Sequence, residues 1–385
     1  MSRGGPANLL VVIIPLGIAN HTVLAGSRVL VSLNALSLGA TPFTIGLLMA
    51  LYALLPMFCA VAAGRLTDRI GARKPMLAGS IGVTLGVAAP LVWPGLPALF
   101  FGAVVVGLSF MVFQIATQRT TGDVGGPHDR ARNFSLLGMG YSASGFIGPL
   151  IAGVSIDHFG FRTTFAVLAV VSSVPAVILA ANRFKFPRPQ PTTPTLYKGG
   201  VRELLRHRPL RQIFVVNMLL SAGWDLHTVF IPIYGARLGL TASEIGIVLA
   251  AFAAATFLVR LMMPAIARRH PEHRILTAAL LAAGIVYMAF PFAHSTLMLS
   301  LLSFALGLGL GSGQPVVMSL LHLHTPAGRI GEAVGMRMSL VQTSSVVVPL
   351  LFGAVGSSLG LAPVFWTIGG CLTAGGYLTR TRRRQ

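Results

Sequence analysis

Asp225, within Trp224-Asp225-Leu226-His227, is the acid that lies well inside a long apolar run of this chain. An ionisable side chain in such a setting is expensive, so it is a candidate for function until a structural role accounts for it. Counted from Arg211 at about 1.5 Å per helical residue, Asp225 falls roughly 21 Å along a ~30 Å hydrocarbon core, somewhat past the midplane. A carboxylate at that depth is suited to load and release a proton, which makes Asp225 the first choice for proton coupling. The competing assignment is a fixed salt bridge to Arg28 that ties two helices together. His21 and His227 are further proton-coupling candidates, and for His21 the alternative is a satisfied interhelical hydrogen bond. Asn20, His21 and Arg28 share the first apolar run, where His21 and Arg28, seven apart, fall on one helix face.

A second group could hold a solute. Arg260 and Arg337 each lie about two turns inside the end of an apolar run. Snorkelling to the surface would accommodate either, but a guanidinium also offers a planar fork to carboxylate or phosphate. Gln114, Asn217, Gln314 and Gln342 would add neutral hydrogen bonds, and Trp224 an aromatic wall. Three intramembrane arginines, Arg28, Arg260 and Arg337, against one acid favour an anionic or zwitterionic substrate. No paired catalytic constellation points to an enzyme, and no nucleotide-binding loop points to an ATP-driven pump. His322 and His324, two apart on a helix, point in different directions, so no metal site and no cofactor are expected. Cys59 and Cys371 read as small buried hydrophobes rather than a disulfide pair.

The elements that must position these residues follow from composition. The 385 residues are 54% hydrophobic and only 10% charged, which marks an integral membrane protein. Helices are the open-ended structures that satisfy their backbone groups in lipid. Twelve apolar runs suffice to span, near 9–33, 43–63, 75–93, 96–118, 134–156, 162–181, 211–234, 243–265, 275–293, 296–320, 330–354 and 360–378. The net charge of +20 is distributed by loop. Arg65, Arg69, Arg73 and Lys74 follow the second run, Arg119, Arg130 and Arg132 the fourth, and a basic stretch from Arg183 to Arg211 the sixth. Arg268, Arg269, Arg274, Arg329 and Arg380 to Arg384 continue on the same side. The positive-inside rule then places both termini in the cytoplasm. Nucleic-acid binding is excluded by the lack of a folded basic domain outside the membrane. The bilayer itself is the expected partner, with anionic lipid at the basic loops.

The chain also matches itself. Shifted by 200 residues, Leu38, Gly39, Thr41, Ile45 and Gly46 meet Leu238, Gly239, Thr241, Ile245 and Gly246. Gly107, Leu108 and Gln114 meet Gly307, Leu308 and Gln314. Ser144, Pro149, Leu150, Gly153 and Gly160 meet Ser344, Pro349, Leu350, Gly353 and Gly360. The reading is an all-α membrane protein of two pseudo-symmetric six-helix bundles, 1–182 and 209–385, joined by a cytoplasmic linker at 183–208. Such a repeat places a solute site near the midplane, exposed to alternate sides as one bundle rocks against the other.

Between the second and third runs lies Gly64-Arg65-Leu66-Thr67-Asp68-Arg69-Ile70-Gly71-Ala72-Arg73-Lys74. It resembles the major facilitator superfamily signature G-x-L-x-D-x-x-G-x-R-K, with Gly64, Leu66, Asp68, Gly71, Arg73 and Lys74 in register and Arg69 inside it. The resemblance implies a gating role, with Asp68 approaching the Gly328 to Glu332 region. Only Arg268, Arg269 and Arg274 stand where the signature would recur. In the fifth run, Ser144 to Gly153 resembles the superfamily's antiporter-associated G-x-x-x-G-P-x-x-G-G element. Gly145, Gly148, Pro149 and Gly153 are its hinge or packing positions, with Ser144 and Ala152 in place of two glycines. The arginine typical of drug/proton antiporters in the fourth run is replaced by Ala103. The resemblance implies a monomeric bacterial inner-membrane secondary transporter of a small solute, working by alternating access and coupled to protons, with export ahead of uptake. Proton-coupled uptake of a small organic anion and a lipid or lysolipid flippase are the alternatives.

Overall fold

The computed structural model describes residues 6–124, 130–181, 186, 206–325 and 330–381. Among them, twelve membrane spans are helical. The first four are Pro6–Ser37, Pro42–Ile70, Arg73–Val92 and Leu96–Asp123. The fifth and sixth form one element, Arg130–Ala180, broken at Gly160, where φ is 77°. The seventh to twelfth are Arg208–Arg237, Ala242–Arg269, Glu272–Ala289, Thr296–His324, Ile330–Ser358 and Leu361–Thr381. A short 3₁₀ turn, Phe290–Phe292, ends the ninth. Several helices overrun the apolar stretches read from sequence. Backbone hydrogen bonding continues into polar residues past the hydrocarbon edge, as at Arg65 to Ile70 in the second helix. The connection expected between 156 and 162 is a kink rather than a loop, because a single left-handed glycine turns the chain.

The chain folds into two compact units. The first holds 1–40, 51–193 and 241–246, and the second 41–50, 194–240 and 247–385. The short exchanged pieces are the beginnings of the second and eighth helices. Most of the stretch expected as a linker, 183–208, lies outside the described residues.

The repeat is visible in the backbone. The first helix ends with Ala40 N–H donating to Ala35 C=O at 2.9 Å and Gly39 N–H to Leu36 C=O at 2.9 Å. The seventh ends alike, with Leu240 N–H to Gly235 C=O at 3.0 Å and Gly239 N–H to Ala236 C=O at 3.1 Å. Both caps need a residue in the left-handed region, and Gly39 and Gly239 supply it at φ 79° and 78°.

Large apolar side chains face outward as well as inward: Leu85, Val177, Leu261 and Leu301 are all exposed. In lipid there is no gain from turning leucine inward, so close packing is set by small residues. Within the first unit, a Cβ on Gly26 would sit 2.9 Å from the Gly148 carbonyl oxygen, and one on Gly148 2.6 Å from that of Thr22. The first and fifth helices therefore touch through glycine. Cys371, expected inside, is on the exposed face of the twelfth helix, and Cys59 is half-buried. Apolarity alone does not distinguish a bundle interior from a lipid-facing surface.

Candidate functional site

In the second unit, the seventh and eleventh helices bring the intramembrane acid to a pair of hydroxyls. Asp225 is 6% exposed. Ser345 Oγ donates to its two carboxylate oxygens at 3.0 and 3.1 Å, and Ser344 Oγ to one of them at 3.2 Å. Two helical turns along the seventh helix from Asp225, Asn217 Oδ1 accepts from Arg337 Nη1 of the eleventh at 3.4 Å. Asn217 is 2% exposed. Its Nδ2 and Arg337 Nε are buried donors without a hydrogen-bond partner. A second group centres on Arg260, whose Nη2 donates to Gln314 Oε1 at 3.2 Å and whose guanidinium carbon lies 5.9 Å from the Trp224 ring centroid. Trp224 packs edge-on against Phe252, with centroids 4.7 Å apart.

His227 is turned elsewhere. Its Nε2 pairs with Ser303 Oγ of the tenth helix at 2.9 Å, and its ring stacks on Phe252 at 4.2 Å. Two residues along a helix are about 200° apart, so Asp225 and His227 face different neighbours. Tyr287 donates to the Gly223 carbonyl behind them.

In the first unit, His21 Nδ1 pairs with Ser144 Oγ at 2.6 Å, and the ring stacks on Tyr141 at 4.8 Å. Asn20 Nδ2 donates to Ser80 Oγ at 2.9 Å, leaving its buried Oδ1 without a partner. The Arg28 guanidinium lies over the Tyr52 ring, 5.7 Å from its centroid, with Nε unpartnered. Gln114 and Gln342 are half-buried in the fourth and eleventh helices.

In the signature, Gly71 has φ 81°, the left-handed turn between the second and third helices. Arg73 closes the end of the sixth span: Nε and Nη2 donate to Leu179 C=O at 3.1 and 2.8 Å, and Nη2 to Ala180 C=O at 3.2 Å. The last carbonyls of a helix run out of intrahelical donors, and a cation at a helix C-terminus is favourable. Leu66, Arg69 and Lys74 are exposed and Gly64 is half-buried. The side chains of Asp68 and Glu332, and all of Gly328, lie outside the described residues. In the fifth helix Gly145 is half-buried, while Gly148 and Pro149 are buried. A Cβ on Gly153 would press 3.0 Å from Ser243 Cα.

Sequence reasoning passed over Asp157, near the end of the fifth span. Its Oδ1 accepts from Ala242 N–H at 3.1 Å and its Oδ2 from Ser243 N–H at 2.6 Å. The available signal was an acid three residues before Gly160, at a helix end. Ser345, beside the repeated Ser344, was also missed, because a serine in a span reads as packing until its partner is known.

A family model for the Major Facilitator Superfamily matches residues 6–297 and 213–384. The class C tetracycline resistance protein of Escherichia coli is 26% identical over 341 residues, covering 85% of this chain and 84% of that one. The multi-drug resistance efflux pump PmrA of Streptococcus pneumoniae is 22% identical, covering 80% and 78%. Among solved structures, a peptide transporter POT in complex with sulfate superposes with a TM-score of 0.81 at 17% identity, over 97% of this chain and 94% of that one. The two-bundle fold, the signature around Gly71 and the family match along the chain agree: this protein belongs to the Major Facilitator Superfamily of transporters.

Proposed function

We propose that the protein exports an amphiphilic small molecule across the bacterial inner membrane by alternating access, with protons entering through Asp225. The observation that carries this reading is the serine pair around the acid. A hydroxyl donates to a carboxylate and, after rotating, accepts from a carboxylic acid, so the same cradle serves both protonation states. Export is supported by the relatives whose names describe tetracycline resistance and multi-drug efflux. The reading keeps two six-helix bundles joined at 183–208, with both termini cytoplasmic.

The substrate head group is acceptor-rich, anionic or zwitterionic. Asn217 Nδ2 and Arg337 Nε are donors without acceptors, and a buried donor left unpaired costs about 1–3 kcal/mol. A carboxylate, enolate or phosphate oxygen would relieve both. The same donors favour uptake of a small organic anion as the second reading.

The test is transport in proteoliposomes with an imposed proton gradient, using tetracycline and a panel of organic anions. Asp225→Asn should abolish gradient-driven accumulation and leave substrate exchange intact. Loss of both activities would assign Asp225 to structure instead. Accumulation that follows the gradient inward with anions, and none with tetracycline, would select uptake.

A further inference from the structure

A cavity of about 520 Å³ in the second unit is walled by the eighth, ninth and tenth helices. Its two ends differ in chemistry. At one are His270, just past the end of the eighth helix, and Arg274 of the ninth helix's first turn, both exposed. Arg268 and Arg269 occupy the last turn of the eighth helix beside them. From there the lining is apolar, through Ile275 to Ala278 and Ala282 on the ninth helix, faced by Ala305 and Leu308 on the tenth. Ser312 donates to the Gly309 carbonyl at 2.8 Å, so its hydroxyl is already engaged. Glu272, the acid in the ninth helix's first turn, is held by the Ser319 hydroxyl.

We infer that this groove binds an anionic phospholipid, with one acyl chain along the Ala278–Ala282 floor and the phosphate between His270 and Arg274. Alanines at 278 and 282, one turn apart on the ninth helix, leave a furrow where longer side chains would fill it. From Arg274 to Ala282 the furrow runs about 12 Å along the axis, a length suited to an extended acyl segment. Ile285 and Leu301, close to the lining residues around the ninth and tenth helices, are exposed, so this face is the one that meets lipid. The basic end supplies the choice of head group. Neither the His270 nor the Arg274 side chain has a hydrogen bond or ion pair among the described residues, and phosphate oxygens are the acceptors that suit them. A soluble anion would have no use for the apolar length, and a neutral lipid none for the cations.

Native mass spectrometry of the detergent-purified protein tests this, with phosphatidylglycerol and phosphatidylcholine of the same acyl composition. Phosphatidylglycerol should be retained preferentially. Retention should fall roughly tenfold in Arg274→Gln, which removes a charge-assisted contact, and as far in Ala282→Phe, which fills the furrow. Equal retention of the two lipids, or unchanged phosphatidylglycerol binding in both variants, would overturn the assignment. A dimer that dissociates in Ala282→Phe would instead give the groove to a second copy. Should a variant fold poorly, the native protein decides: its melting temperature should rise with phosphatidylglycerol but not with phosphatidylcholine or inorganic phosphate. A rise with phosphate alone would reduce the site to a surface anion contact and defeat the inference. None of these readouts involves transport, so they stand apart from the export reading.

Discussion

At residues 157 and 357, which correspond in the 200-residue repeat, a side chain near the end of one helix reaches the N-terminus of another, with different chemistry in each half. In the first unit Asp157 takes two backbone N–H groups of the eighth helix's first turn. In the second unit Ser357 Oγ accepts a single bond from Phe43 N–H of the second helix at 3.0 Å. The packing beneath is the same in both. Gly246 meets the Pro149 carbonyl, Gly46 the Pro349 carbonyl, and Gly153 and Gly353 press on the residues that begin the eighth and second helices. The repeat thus preserves close backbone approach and lets the polar clasp diverge. One junction is held by an ion facing a helix dipole, the other by a neutral hydroxyl.

The same divergence marks the polar interior. Ser144 and Ser344 correspond, yet Ser144 pairs with His21 while Ser344 pairs with Asp225, four residues further along in repeat register. Where Gly26 and Gly148 draw the first and fifth helices together, the matching positions 226 and 348 carry Leu226 and Val348, both buried. One half is closed by glycine contact, and the other carries the acid.

The sharpest way to break this comparison is to neutralise each side of it. Asp225→Asn should remove gradient-driven transport altogether, whereas His21→Gln, which keeps a hydrogen-bonding side chain toward Ser144, should cost less than about tenfold, or 1.4 kcal/mol. Equal losses would show that both halves handle the proton. Next in size are the shared glycines. A Cβ on Gly246 would lie 2.7 Å from the Pro149 carbonyl oxygen, and one on Gly46 would lie closer still to that of Pro349. Gly246→Ala and Gly46→Ala should each destabilise by about 1–3 kcal/mol, the range for overpacking a tight interior. Thermal melting checks it, and an undisturbed Gly46→Ala would refute the close approach.

The clasps themselves give smaller effects. Asp157→Asn should cost about 1 kcal/mol and Ser357→Ala about 0.5 kcal/mol, because both caps are solvent-facing. Hydrogen exchange at the Ala242, Ser243 and Phe43 amides would report each end separately, and high salt should weaken only the aspartate clasp. Smallest is Arg73→Gln, which should fray the sixth span at Leu179 and Ala180 by a few tenths of a kcal/mol up to about 1 kcal/mol.

Much of this molecule was legible without coordinates. Runs of apolar residues long enough to cross lipid must be helical, since no water is present to satisfy open backbone groups. Gly39, Gly71 and Gly239 marked turns because a left-handed residue is cheap only without a Cβ. The repeat register announced two related halves, and the depth of Asp225 announced a charge that needs hydrogen-bond partners. What sequence left undecided was which residue answers which. Asp225 finds serines 119 and 120 positions away, Asp157 finds amides 85 and 86 away, and Arg73 caps carbonyls 106 and 107 away. Those pairings depend on how each helix is rotated about its axis. In lipid, hydropathy does not fix that rotation, because leucine outside is as comfortable as leucine inside. Only the glycine contacts and the geometry of polar satisfaction, both properties of the packed structure, set it.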